Sequence, residues 1–210
     1  MTHILTQEHN TNSCADNIII FCNKDKELST NAKKLDSSFK NLISTYLNYA
    51  DFTANKAEIT KFALADDKKI TNIYIVSLGD VKNLDASSSH SIGLKLSSTL
   101  KKDKITIASL INDEKLLGDN LETILKAIIW FGYEFNEYKS KNKTQGLLEL
   151  SVQVNKKDIE ALNTKIEQFT KINKGVDLAR DLVNHPANIV TPEYMLNKAK
   201  ELKKLGVKVT

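Results

Sequence analysis

GVDLARDLVNHPANIVTPEY, residues 175–194, is the most heavily punctuated stretch of this 210-residue chain. Both prolines of the sequence, Pro186 and Pro192, lie in it. An apolar pattern at helical spacing (Val176, Ala179, Val183) runs into it from upstream. Pro186 stops that pattern, because a proline ring pushes the preceding residue, here His185, out of the helical region. A second helix is predicted from Thr191-Pro192-Glu193. Thr191 can cap it, Pro192 suits the first position, and Glu193 complements the positive end of the dipole. The stretch therefore reads as a helix, an elbow and a new helix, and the chain divides around it.

Upstream, Ile159, Leu162, Ile166, Phe169 and Ile172 extend the same apolar face back to a start at Asn155 or Asp158. The spacing predicts one helix of about 25 to 30 residues, ending at His185. Helices this long are uncommon within one domain, so residues 155–185 read as a connecting helix. Before it, strands and helices alternate. Strands are predicted at Asp16–Cys22, Glu58–Ala65 (Ile59, Phe62 and Leu64 inward), Ile70–Leu78, Lys104–Leu110 and Gln145–Val154. Helices are predicted from Ser29 or Thr30 to Ala50, from Asp85 or Ser87 to Lys101, and from Asp119 to Tyr138 with Phe135 buried. The short link Asp66–Lys69 makes Glu58–Ala65 and Ile70–Leu78 a hairpin; the other links allow parallel pairing. The fold class is α/β, a mixed β-sheet flanked by helices on both faces.

Residues 16–154 are then an N-terminal α/β domain, and residues 1–15, polar and without pattern, a disordered tail. Downstream, Met195, Leu196, Ala199 and Leu202 continue the second helix to Gly206, a good residue just past a helix end. Val207–Thr210 reads as the opening of a strand, so residues 186–210 look like the truncated start of a further domain.

Composition sets broad bounds. No apolar run approaches the roughly 18 residues a membrane span needs, and no leader pattern opens the chain. Cys14 and Cys22 lack a CxxC spacing and read as free thiols of a reducing compartment, which points to the cytoplasm. The net charge of +4 is carried on scattered lysines, with Arg180 the one arginine. A dedicated nucleic-acid reader would use more arginine.

Candidate chemistry is sparse. His3, His9, His90 and His185 are scattered and show no metal-ligand spacing. Ser87-Ser88-Ser89-His90 lies at a helix start and reads as capping. Cys22 belongs to a predicted apolar strand, where burial is the expected state. The seven glycines form no phosphate-cradling loop, and Gly93, within Ser91-Ile92-Gly93, reads as a close-packing position in a helix. Tyr133–Lys143 interleaves aromatics with lysines, a weak nucleic-acid signal; a helix end with a solvated turn explains it better. Asn142-Lys143-Thr144 matches a glycosylation sequon that has no meaning in the cytoplasm. From the residues alone there is no catalytic, cofactor or metal site.

The spacing of Leu178-Ala179-Arg180-Asp181-Leu182-Val183-Asn184, Pro186, Asn188 and Thr191-Pro192-Glu193-Tyr194 resembles the leucyl (cytosol) aminopeptidase family of metal-dependent exopeptidases. Two weaker matches stand upstream in family order: Ile75–Asp80 with Leu84, and Phe131–Lys141. The resemblance covers about residues 16–210; His185 and Ala187 fall at variable positions. It implies an N-terminal domain loosely similar to macro domains, joined by a long helix to a catalytic domain. That second domain would hold two divalent metals (zinc, manganese or magnesium) that activate water against the N-terminal peptide bond of a peptide. The motifs for the metal ligands, a glycine-rich stretch with Lys and Asp and an N-T-D-A-E-G-R run, do not occur here, so no family site residue is carried onto this chain. Arg180 and Asp181 are expected to be structural ion-pair or interface residues. The resemblance also implies a homo-hexamer built around catalytic domains, so this chain is expected to be a monomer or weak dimer and inactive. The other expectation is a stand-alone macro-like module binding nucleotide or nucleic acid.

Overall fold

The computed structural model describes residues 2–9, 15–65, 69–112, 117–140 and 146–209. Among the described residues, six strands form one sheet in the order β1-β6-β5-β2-β4-β3. They are β1 (His3–Glu8), β2 (Asn17–Cys22), β3 (Ile59–Ala65), β4 (Ile70–Ser77), β5 (Ile107–Ile111) and β6 (Glu149–Val154). β3 runs antiparallel to β4, and every other neighbouring pair is parallel. The expected mixed sheet is therefore present, hairpin included.

β2 and β4 are central because both of their faces are apolar, as parallel strands covered on two sides require. Ile19, Phe21, Tyr74 and Val76 point to one face, where they meet Ile92, Leu96 and Leu100 of α3 (Ala86–Lys102) and Ile124, Leu125 and Ile128 of α4 (Asn120–Phe131). Ile18, Ile20, Ile73 and Ile75 point to the other, under Leu35 of α1 (Thr30–Ser38) and Ile43 and Leu47 of α2 (Leu42–Tyr49). The period of two along each strand puts consecutive isoleucines into separate cores.

Several expectations change. The tail 1–15 is not patternless: His3–Glu8 pairs in parallel with Glu149–Val154 as an edge strand. Its partners lie some 145 residues away, so no local signal announces it. The single helix predicted to Ala50 is two helices. Lys40 and Asn41 adopt left-handed backbone (φ 54° and 59°), and the buried Asp36 accepts from the Ile43 N–H at 2.8 Å, capping α2 from within α1. The helix predicted to Tyr138 ends at Phe131, and Phe135 is half-buried beyond it instead of in the core. α3 is capped by Asp85, which accepts from the Ser88 N–H at 2.7 Å, and not by the serines. Ser88 instead accepts from Lys56 Nζ and Ser89 donates to Asn120 Oδ1, each at 2.9 Å. Cys14, the Asp66–Lys68 part of the turn, and the sequon at Asn142 lie outside the described residues.

The long helix is α5 (Ile159–Asn184), 26 residues, preceded by a 3-10 turn at Lys156–Asp158. Its first half belongs to the domain: Leu162 is buried and Ile159 and Ile166 pack against the larger core. Thr6 of β1 donates to Asn163 Oδ1 at 2.6 Å. Its second half presents the apolar face outward. α6 (Pro192–Glu201) follows, with Thr191 accepting from the Tyr194 N–H and Gly206 (φ 82°) ending the 3-10 turn after it. Residues 207–209 form no strand, contrary to expectation: they have no neighbouring strand to supply ladder bonds.

Candidate functional site

The side chains singled out in Gly175–Tyr194 converge with the end of α4 and the residues that follow it. Arg180, on α5, lays its guanidinium 4.5 Å from the Trp130 ring centre and 5.1 Å from that of Tyr133. It donates to the Trp130 carbonyl at 3.3 Å and pairs with Asp177 at 3.5 Å. A planar cation between two rings, with a carboxylate one helical turn away, is a packing clamp. Burial pushes the Asp177 carboxyl above the ordinary aspartate value, and Arg180 acts against that rise. Asp181 accepts from the Tyr133 hydroxyl at 2.9 Å, and that hydroxyl accepts from Asn184 Nδ2 at 3.0 Å. Arg180 and Asp181 thus tie α5 to the end of α4. The ionic partner of Arg180 is Asp177, and Asp181 bonds a phenol.

His185 closes the same junction. Its side chain is 6% exposed, 3.6 Å from Glu137 Oε2. Its Nδ1 bonds the Tyr138 hydroxyl at 2.7 Å. Phe135, Tyr138 and Tyr194 surround the imidazole edge-on, with centroids at 5.0, 5.8 and 5.8 Å. Tyr133, Tyr138 and Asp177 carry no junction signal in the sequence. A single helix over 119–138 hides the two tyrosines, for which Gly132, right after an apolar run, is the available stop signal; Asp177 sits inside a helix and has none.

Alongside, an apolar cleft of about 320 Å³ opens between α4 and α5, lined by His90, Thr123, Trp130, Phe169, Ile172 and Val176 among others. His90 is half-buried there, 5.5 Å from the Trp130 ring, and is not a free surface residue. Ile172, Val183, Met195, Leu196 and Leu205 leave the second half of α5 and the helix beyond it with an exposed apolar face. A second crevice, also about 320 Å³, lies at the carboxyl ends of β5 and β6. Lys157 and Lys165 line it together with Asp119, Glu122 and Asp158, so its charges are mixed.

The remaining candidates do not assemble a reaction centre. Cys22 is buried, and burial pushes its thiol up to about 12, against a lowering hydrogen bond with Ser77, so it is no thiolate nucleophile at neutral pH. His3 lies in β1, and His9 contacts Asn31 Nδ2 at 3.0 Å through Nε2. Among the described residues, no group of three or more His, Cys, Asp or Glu side chains is arranged to hold a metal ion. No helix among them is long and apolar enough to cross a membrane.

Comparison with known proteins agrees with this geometry. The sequence model described as "Cytosol aminopeptidase family, N-terminal domain" matches residues 19–142. The probable cytosol aminopeptidase 1 of Shewanella oneidensis is 27% identical over 163 residues, covering 76% of this chain and 31% of that protein. The probable cytosol aminopeptidase of Treponema denticola is 30% identical over 175 residues, covering 79% and 36%. The chain thus spans about a third of the length of these relatives. Among solved structures, a mutant of tomato leucine aminopeptidase superposes with a TM-score of 0.72 at 21% identity, over 98% of this chain and 42% of that one. The bottromycin maturation enzyme BotP, in complex with Mn, gives 0.62 at 17% identity, over 91% and 37%. These two likenesses establish the shared fold. On the family match over residues 19–142, the chain belongs to the cytosol aminopeptidase family.

Proposed function

We propose that the chain is the non-catalytic N-terminal part of a metal-dependent leucyl aminopeptidase. The observation that carries the reading is the match of residues 19–142 to the family's N-terminal domain. In this reading residues 16–154, with β1 added, form the N-terminal domain. Residues 155–185 connect, and residues 186–210 begin the catalytic domain. That domain would hold two divalent metals and remove N-terminal amino acids from peptides in the cytoplasm. The exposed apolar face of α5 and α6 supports this division, because large exposed apolar patches mark docking surfaces. It is the face on which a catalytic domain would rest, and the hexamer of the full protein would be built on that domain.

The test is direct. The purified 210-residue chain should not hydrolyse leucine amide or leucyl-anilide substrates, with or without added manganese, and should sediment as a monomer or weak dimer. Turnover above a no-protein control, or a stable hexamer, would overturn the proposal.

A second reading, a stand-alone macro-like module for nucleotide or nucleic acid, draws on one feature. The crevice at the carboxyl ends of β5 and β6 is where open α/β sheets take ligands. Its three carboxylates work against a phosphate-bearing ligand. A salt-dependent gel shift with DNA at physiological ionic strength would favour this reading; no shift is expected.

A further inference from the structure

We propose that residues 133–140 act as a clasp that fixes the elbow between α5 and α6 through His185. The direction in which the chain leaves the domain is then set by side chains of the domain itself. The inference does not depend on peptidase activity.

The helices cannot set this direction alone. Pro186 breaks the hydrogen-bond ladder after Asn184, and α6 buries none of its ten residues, so burial in the core does not orient it. The elbow is held by a few backbone bonds: the Ile189 and Val190 N–H groups donate to Pro186 O, and the Thr191 N–H to Ile189 O. Such turns open easily unless tertiary contacts hold them.

His185 supplies those contacts, although it stands at the last position before the break. The segment after α4 reaches the ring: Tyr138 is bonded to Nδ1 at 2.7 Å, Glu137 stands at 3.6 Å, and the Phe135 ring meets the imidazole at 87°. Tyr194, in the first turn of α6, packs against the same ring at 5.8 Å between centroids. One imidazole thus joins three segments: the end of α5, the post-α4 segment and the start of α6. The segment is itself anchored at its near end, where Glu134 pairs with Lys101 of α3 and Tyr133 bonds Asp181. Tyr138 is 56% exposed, yet its hydroxyl is spent on the buried ring, as expected of a clasp with little other packing.

Amide hydrogen exchange on the 210-residue chain tests this, read at Ile189, Val190, Thr191, Tyr194 and Met195 with β2 and β4 as internal controls. Tyr138→Phe deletes only the hydroxyl and should speed exchange at the elbow about fivefold. His185→Ala should speed it about tenfold or more. His185→Asn places an amide oxygen near the position of Nδ1 and should return the rates to within about twofold of wild type. A residue that merely fills space would not discriminate in this way. Unchanged elbow rates in Tyr138→Phe and His185→Ala would overturn the proposal. So would an equal rise in β2 and β4, or failure of His185→Asn to rescue.

Discussion

Gly93 shows how far one missing methyl group reaches. A Cβ at this position would lie 2.6 Å from the Ile124 carbonyl oxygen and 2.7 Å from the Ala127 Cβ. Both neighbours belong to α4 and neither is the free end of a flexible side chain. The glycine therefore lets α3 and α4 touch backbone to backbone over the sheet. Gly93→Ala should cost about 1–3 kcal/mol, seen as a lower denaturant midpoint with unchanged slope. Reading Gly93 as a close-packing residue needed only its helical context. Naming α4 as what it packs against needed the fold. The same holds for Arg180, whose position in the family pattern was legible while its clamp between Trp130 and Tyr133 was not.

Two carboxylates hold elements together in ways that spacing does not reveal. Asp36 sits 3% exposed at the end of α1 and accepts from the first turn of α2. An apolar stripe continuous from Leu35 to Leu47 looks like one helix; the break is made by this side chain and by left-handed Lys40 and Asn41. Asp36→Ala should cost about 1–2 kcal/mol in chemical denaturation, because it leaves the Ile43 N–H buried without an acceptor. Glu122 of α4 pairs with Lys126 on its own helix and with Lys165 of α5. The hydrogen bond from Lys126, then that from Lys165, hold its carboxyl below the ordinary value of 4.5. A depressed folded value means stabilisation that is present above the unfolded pKa and is lost as pH falls through the folded one. Glu122→Gln should accordingly melt at a lower temperature than wild type at pH 7, and the difference should shrink as pH falls below the ordinary value of 4.5 and be lost once the folded carboxyl itself is protonated.

At the scale of the molecule, the two cores are closed while the apolar face along late α5, α6 and the 3-10 turn after it is open: Ile172 is 65% and Leu205 78% exposed. Neither belongs to a buried cluster, so charge there costs the fold little. The double variant Ile172→Glu and Leu205→Glu should keep its stability within about 0.5 kcal/mol of wild type. It should also abolish any weak self-association detected by sedimentation equilibrium. A stability loss of several kcal/mol would show that the face packs into this domain after all.

The sequence by itself determined the alternation of elements, the mixed sheet with helices on both faces, and the helix–proline–helix junction. It also carried the family resemblance. Each of these rests on patterns read within one element or across one turn, where periodicity and proline geometry act locally. Tertiary structure alone decided that His3–Glu8 is an edge strand, that α1 and α2 are separate, and that Phe135, Tyr138 and His185 meet. The edge strand and the His185 junction depend on partners tens to more than a hundred residues away, and the α1–α2 break on a carboxylate seven residues from the group it caps; an isolated stretch of chain carries no record of what will pack against it.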